Sequence, residues 1–309
     1  MNRTVSEFAV LLGVFLLLAA WCASGWIAAD PVPDRPFLSG MAAIALIVAC
    51  AVLLYLTNDR FLTELSFFTP VAYIVLATAD PAALWFTPFH GAALLLAISL
   101  SCLLCFCAVH PTMACLSGTW VSLGAASLIF PPFLWLFPVY AAAAAGKAEE
   151  KSKFWTASLL GVCLPPAIYA GIIVLLDDAG AATAFFSGFW ERMTEVARTP
   201  LHFSAATLCR IALTALAVLL TLIRLLGRLN RYKIAHHAAI SRIIFLTLAV
   251  CLLTAVFWPD RRTAGLVTAL PVSLLLNEYF GVSDRRKGAR TLAVILIFIL
   301  IAERLTYFI

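Results

Sequence analysis

Residues 113–146 read MACLSGTWVSLGAASLIFPPFLWLFPVYAAAAAG. The stretch carries no charge, and as a single helix at 1.5 Å per residue it would be about 51 Å long, well beyond the roughly 30 Å hydrocarbon thickness of a bilayer. Pro131 and Pro132 divide it. A proline has no amide hydrogen and its ring collides with the carbonyl four residues back, so a proline pair is a natural helix end. Halved, the stretch yields two helices of about 25 Å each. These form either a thin hairpin or a re-entrant pair sheltered by protein.

The apolar character extends along the whole chain. Of 309 residues, 63% are hydrophobic and 12% charged, with a mean hydropathy of +1.01. Soluble domains average about 45–50% apolar and about 25% charged, so there is too little polar surface here to cover a water-soluble fold. The same composition excludes a disordered chain, a collagen-like repeat and a disulfide-stapled secreted domain. The expected fold class is all-α: a polytopic transmembrane helical bundle forming one integral membrane domain over residues 1–309.

Apolar runs separated by charge mark eleven segments, at 8–29, 39–57, 62–79, 89–109, 114–130, 132–146, 154–176, 201–226, 243–258, 264–282 and 291–308. Counting 113–146 as one span makes ten. Arg3 and the small residues Ala23, Ser24 and Gly25 give the first segment the flanks of a signal peptide. Its apolar run of about 22 residues exceeds the 7–15 of a signal core, so it is expected to be a retained span.

A cytoplasmic amino terminus places fourteen of the 21 Lys and Arg residues on the cytoplasmic side and six outside, with Arg210 inside a span. This obeys the positive-inside rule. Counting one span fewer around Pro131 would send the basic loops before and after it to opposite sides, so the charges favour the hairpin. Arg261 and Arg262 fit least well. The net charge of +5 concentrates in 224–242 and 284–287, where it sets topology and can also attract anionic headgroups. Nucleic acid is not expected as a partner, because no stacking aromatics are interleaved with the basic residues.

Between the seventh and eighth segments, Phe185, Phe186, Phe189, Trp190, Met193, Val196 and Ala197 recur at spacings of three and four, with Glu191, Arg192, Glu195 and Arg198 between them. The pattern predicts an external amphipathic helix lying in the interface over 180–199.

Few residues carry recognisable chemistry. Arg210 falls near mid-bilayer, where insertion costs about 2.5–3.5 kcal/mol, so it should face protein or a water-filled cavity and seek a carboxylate, carbonyls or an anionic substrate. His202, eight residues earlier, shares roughly the same helix face, and the two are the candidate substrate-binding residues. Their alternative role is a structural polar contact. Asp30 and Asp34 in the loop ADPVPDRP are the candidate catalytic carboxylates, since membrane glycosyltransferases using polyprenyl-phosphate sugars place an acidic base in their first external loop. That loop is usually longer, and here three prolines in about nine residues also describe a rigid turn. Asp177-Asp178 reads as a span boundary.

The nine cysteines lie in or beside apolar segments and read as small hydrophobes. In Ser101-Cys102-Leu103-Leu104-Cys105-Phe106-Cys107, the last thiol points to a different helix face from the other two, so the motif does not predict a metal site. His90, His110, His236 and His237 lack companion ligands and are expected at surfaces or interfaces. There is no Walker loop, dinucleotide fingerprint, HExxH or GxSxG, and no cofactor or metal is expected. Pro131-Pro132, Pro165-Pro166 and Pro271 are expected to interrupt their spans and free backbone carbonyls. Transporters build sites from such broken helices, although no internal repeat accompanies them here.

From about residue 50 to 176 the order of features resembles an uncharacterised family of integral membrane proteins from Bacteroidota. The matching features are Asn58 near the turn after the second segment, the small-residue run GTWVSLGAASLIFPPFLWLFPVY, the polar loop with its aromatic pair KSKFW, and ASLLGVCLPP opening a proline-containing span. Lys153-Phe154-Trp155-Thr156-Ala157 stands where the family pattern has an Arg-Glu pair after the aromatic. The resemblance implies a multi-pass inner-membrane protein of a Gram-negative bacterium and carries over no activity or catalytic residue. The expected function is a non-catalytic component of envelope assembly that organises lipids or other envelope membrane proteins. The alternatives are an enzyme acting on lipid-linked glycans or phospholipids, and a small-anion transporter.

Overall fold

The computed structural model describes residues 36–61, 68–108, 112–148, 150–176, 179–195, 234–257 and 263–281, together with 215, 218–219 and 222–223. Every element among them is helical. In chain order these are α1 (Pro36–Phe61), α2 (Phe68–Ala77), a 3-10 turn (Pro81–Leu84), α3 (Pro88–Ala108), α4 (Met113–Ile129), a second 3-10 turn (Pro131–Trp135), α5 (Leu136–Ala145), α6 (Lys151–Leu176), α7 (Ala179–Thr194), α8 (Ile234–Phe257) and α9 (Gly265–Gly281). Four of these, in α1, α3, α6 and α8, are long and apolar enough to cross a membrane, and α2, α4, α9 and the stretch Pro131–Ala145 are shorter apolar helices. The chain is therefore a helical protein built for a membrane. The segments 8–29 and 291–308, and most of 201–226, lie outside the described residues.

The helix α3 occupies the middle. It packs against α1, α4, α5, α8 and α9, while α2 lies against α1 and α9, and α6 packs on the far side of α4. Its burial follows from its sequence: Ala92, Ala93, Leu96, Ala97, Leu100, Leu103 and Leu104 are small or flexible apolar residues on faces that meet neighbours, and all are buried. The helix α6 is the opposite case. Leu159, Leu160, Leu164, Ile168, Ile172, Leu175 and Leu176 are exposed along it, and only a narrow stripe through Phe154, Ser158, Gly161 and Val162, with Ala170 further on, is buried.

At Pro131-Pro132 the chain turns back. Phe130 is extended (φ −135°, ψ 92°) and the two prolines open the 3-10 turn, where their missing amides cost nothing. Near the start of α4, Cys115 and the Cα of Gly118 lie against Cys105 and Cys102 near the end of α3. Near that same end of α3, the Cys107 thiol donates to the Ala143 carbonyl in the last turns of α5, at 3.6 Å. The start of α4 and the end of α5 therefore lie together, which makes residues 113–145 a helical hairpin.

The other prolines behave differently from expectation. Pro165 and Pro166 lie inside a continuous α6, and Pro271 inside a continuous α9; neither helix is interrupted. The reason in α6 is local. Pro165 and Pro166 deprive the Gly161 and Val162 carbonyls of their amide donors, and Gly124 of α4 lies so close to the Val162 carbonyl that a Cβ there would collide with it. The Cα–H of Gly124 thus meets the orphaned oxygen as a weak donor, which a helix in lipid requires from a neighbour. One turn away, a methyl on Gly161 would come within 2.6 Å of the Trp120 Cβ. Two glycines, one on each helix, set this close approach.

Candidate functional site

The four candidates Asp30, Asp34, His202 and Arg210 lie outside the described residues, as do Asp177-Asp178 and His110. The described bundle instead presents two chemically different ends.

At one end, where α1, α3 and α9 begin and α2 and α4 finish, His90 is 1% exposed. This corrects its expected place at a surface. The ring is buried because both nitrogens are occupied: Nε2–H donates to the Ala83 carbonyl at 2.8 Å, and Nδ1 accepts from the Thr87 amide at 3.2 Å and its hydroxyl at 3.1 Å. Asp80 caps the turn that carries Ala83, its carboxylate accepting from the Ala82 amide at 2.9 Å. The Phe86 amide donates to Ser39 Oγ, which ties the starts of α1 and α3. A rim of exposed aromatic residues, Phe37, Phe86, Trp135 and Trp190, surrounds this end.

The surface helix α7 lies at the same end. Phe189 and Met193 are buried and Phe185 half-buried against Tyr169 of α6, and Trp135 Nε1–H donates to the Met193 carbonyl at 3.2 Å. Phe186 and Trp190, one flank over, are exposed. The aromatic residues that the sequence assigns to one face are thus divided between a docking face and a free flank.

The opposite end holds Arg242, Lys147, Lys151 and Lys153. Arg242 of α8 donates from Nε to the Ala143 carbonyl at 3.0 Å, and Lys153 pairs with Glu150 at 2.8 Å. Deeper in the bundle toward this end, Thr57 and Ser101 share a hydrogen bond at 2.6 Å, and Asn277 Nδ2–H donates to Asn58 Oδ1 at 2.9 Å with both residues buried. Asn277 escaped the sequence analysis, although a lone amide in the apolar run Ser273-Leu274-Leu275-Leu276-Asn277 is the kind of residue that needs a partner within a span. The Asn58–Asn277 pair should show a coupling of about 0.6 kcal/mol, and no more than about 1.7, in a double-mutant cycle with Asn58→Ala and Asn277→Ala. Strictly additive losses in the unfolding midpoint would contradict the bond.

The cysteines sort as their spacing implies. Cys102 and Cys105 face α4 and Cys107 faces α5, so the three do not converge. Among the described residues no group of three His, Cys, Asp or Glu is placed to hold a metal ion.

Comparison of the chain with family models, with curated proteins and with solved structures gives no match.

Proposed function

We propose that the chain is a non-catalytic component of a bacterial inner membrane: a bundle of about eleven spans with a cytoplasmic amino terminus that organises lipids or partner membrane proteins in envelope assembly. One observation carries this reading. Several polar side chains inside the bundle bond to each other and to its backbone, as in Thr57–Ser101, Ser99 to the Thr119 carbonyl at 2.8 Å, and His90 to Ala83, while α6 turns a long apolar face outward. Such an interior serves packing, and such a face serves contact with lipid or another helix.

The proposed orientation draws support from the two ends. Lys147, Lys151, Lys153 and Arg242 gather where the cytoplasm would be, and the aromatic rim with α7 lies where the outer interface would be. The resemblance of residues 50–176 to the uncharacterised Bacteroidota membrane family belongs to the same proposal and supports its inner-membrane location.

The test is purified protein in proteoliposomes, joined to photo-crosslinking in cells. A crosslinker at Leu160 or Leu164 should yield an adduct of discrete mass, and one at the buried Leu103 should yield none. Turnover of a lipid-linked glycan, or anion flux, by the purified wild type that Arg210→Ala abolishes would overturn the proposal in favour of an enzyme or a transporter.

A further inference from the structure

We propose that the basic site where α5 ends binds the phosphate of an anionic lipid headgroup, with Arg242 and Lys147 as its cations. This inference rests on the membrane-bundle reading above and names a ligand class and a site within it.

The returning leg of the hairpin is short. Five residues of 3-10 turn and ten of α-helix span about 25 Å against a hydrocarbon thickness of about 30 Å. With Pro131 at the opposite interface its end would fall short of headgroup level, and a bilayer meets such a mismatch by thinning locally or by letting flanking residues reach to the interface.

The chemistry at that end suits a phosphate. Arg242 is half-buried in the first turns of a candidate span, Ile240–Phe257, and its guanidinium is fixed by one bond from Nε to the Ala143 carbonyl. That bond leaves both terminal amino groups of the fork for a second acceptor, and a guanidinium matches phosphate with two parallel N–H bonds. The same carbonyl accepts from Cys107, so α3, α5 and α8 converge on one atom. Lys147 follows the last turn of α5 directly. Its backbone N–H is held by the Ala144 carbonyl at 2.9 Å, one residue along from the carbonyl that Arg242 and Cys107 share.

No carboxylate among the described residues pairs with either cation, whereas Lys153, a few residues on, is matched by Glu150. Two cations anchored at the last turn of α5, one of them fixed and half-buried, form the kind of basic site that takes an anionic headgroup. The partial negative charge of the α5 terminus is a second use for the same cations. A lysine at 242 would still serve that use, but it could not supply the fork.

The full chain, purified in mild detergent, is titrated with phosphatidylglycerol, with phosphatidylcholine and with inorganic phosphate. Retained lipid is read by native mass spectrometry and unfolding by a thiol-reactive dye. Phosphatidylglycerol should be retained and should raise the unfolding temperature, and phosphatidylcholine should do neither. Arg242→Gln with Lys147→Gln should weaken phosphatidylglycerol binding by about tenfold or more, and Lys153→Gln should leave it unchanged. Arg242→Lys and the exposed Lys147→Gln alone keep the test decisive if the double variant fails to fold, each with an expected loss of about threefold or more.

Equal retention of phosphatidylcholine, or unchanged phosphatidylglycerol affinity in Lys147→Gln and Arg242→Lys, would overturn the site. Inorganic phosphate reproducing the whole effect with the same residue dependence would overturn the lipid as its source and assign the site to a soluble anion. Loss of this site leaves the proposed scaffold role standing, and catalytic or transport turnover would remove that role without touching the lipid affinity.

Discussion

Trp120→Ala lowers the unfolding free energy of the solubilised protein by about 3–5 kcal/mol, the range for emptying a buried aromatic site. Trp120 is fully buried, with the rings of Phe137 at 4.9 Å and of Tyr140 and Phe154 at 6.4 Å. Phe137 and Tyr140 lie on α5 and Phe154 on α6, so with Trp120 itself on α4 one cavity loosens three elements at once. In a bilayer, transfer between lipid and protein interior contributes little, and the loss comes from dispersion contacts that the collapsed site cannot restore. Trp120→Phe should cost under about 2 kcal/mol, because the ring remains and the indole Nε1–H meets no acceptor among the described residues. The check is reaction of the buried Cys50 and Cys107 with a fluorogenic thiol reagent along a denaturant or temperature ramp. A midpoint for Trp120→Ala equal to that of Trp120→Phe would contradict this packing.

Gly124→Val is the second large effect, expected at about 1–3 kcal/mol or more from overpacking. The added carbon would meet backbone, the Val162 carbonyl, which cannot swing aside as a side chain can. The substitution also removes the Cα–H that meets an oxygen left without an amide donor by Pro166. Gly171→Ala supplies the contrast on the same proline-containing helix. A Cβ there touches nothing, so the change should be neutral or should stabilise by up to about 1 kcal/mol through helix propensity alone. Equal stability of the two variants, read by the same thiol assay, would show that α4 and α6 do not make the close approach described.

The break and turn-back at Pro131-Pro132 were legible from the chain because an uncharged run from 113 to 146 is too long for one helix to cross a bilayer and a proline pair sits at its middle. The fate of Pro165-Pro166 and Pro271 was not legible. Whether a proline ends a helix depends on what neighbour supplies the missing donor, and Gly124 lies 42 positions away in sequence from Pro166. The burial of His90 was hidden for a related reason. A histidine beside an apolar run has the same local pattern whether it faces solvent or donates to a carbonyl, and the partner, Ala83, belongs to a 3-10 turn with no strong signature of its own. The surface helix α7 was half legible: its spacing of aromatic residues marked an amphipathic element, while the division into buried Phe189 and Met193 and exposed Phe186 and Trp190 needed the neighbours.

By itself, then, the sequence determined the solvent and the helical class of the fold. Too few charges to cover a water-soluble surface, and runs long enough to satisfy every backbone amide within a helix, leave an all-helical membrane body as the physical outcome. The tertiary structure decided which polar atoms meet: Asn58 with Asn277, Arg242 with the Ala143 carbonyl, and Gly124 with the Val162 carbonyl. Hydrophobic patterning is a property of each segment and can be read along the chain. A hydrogen bond between segments 99 or 219 residues apart depends on the depth and rotation of two helices, which only their packing sets.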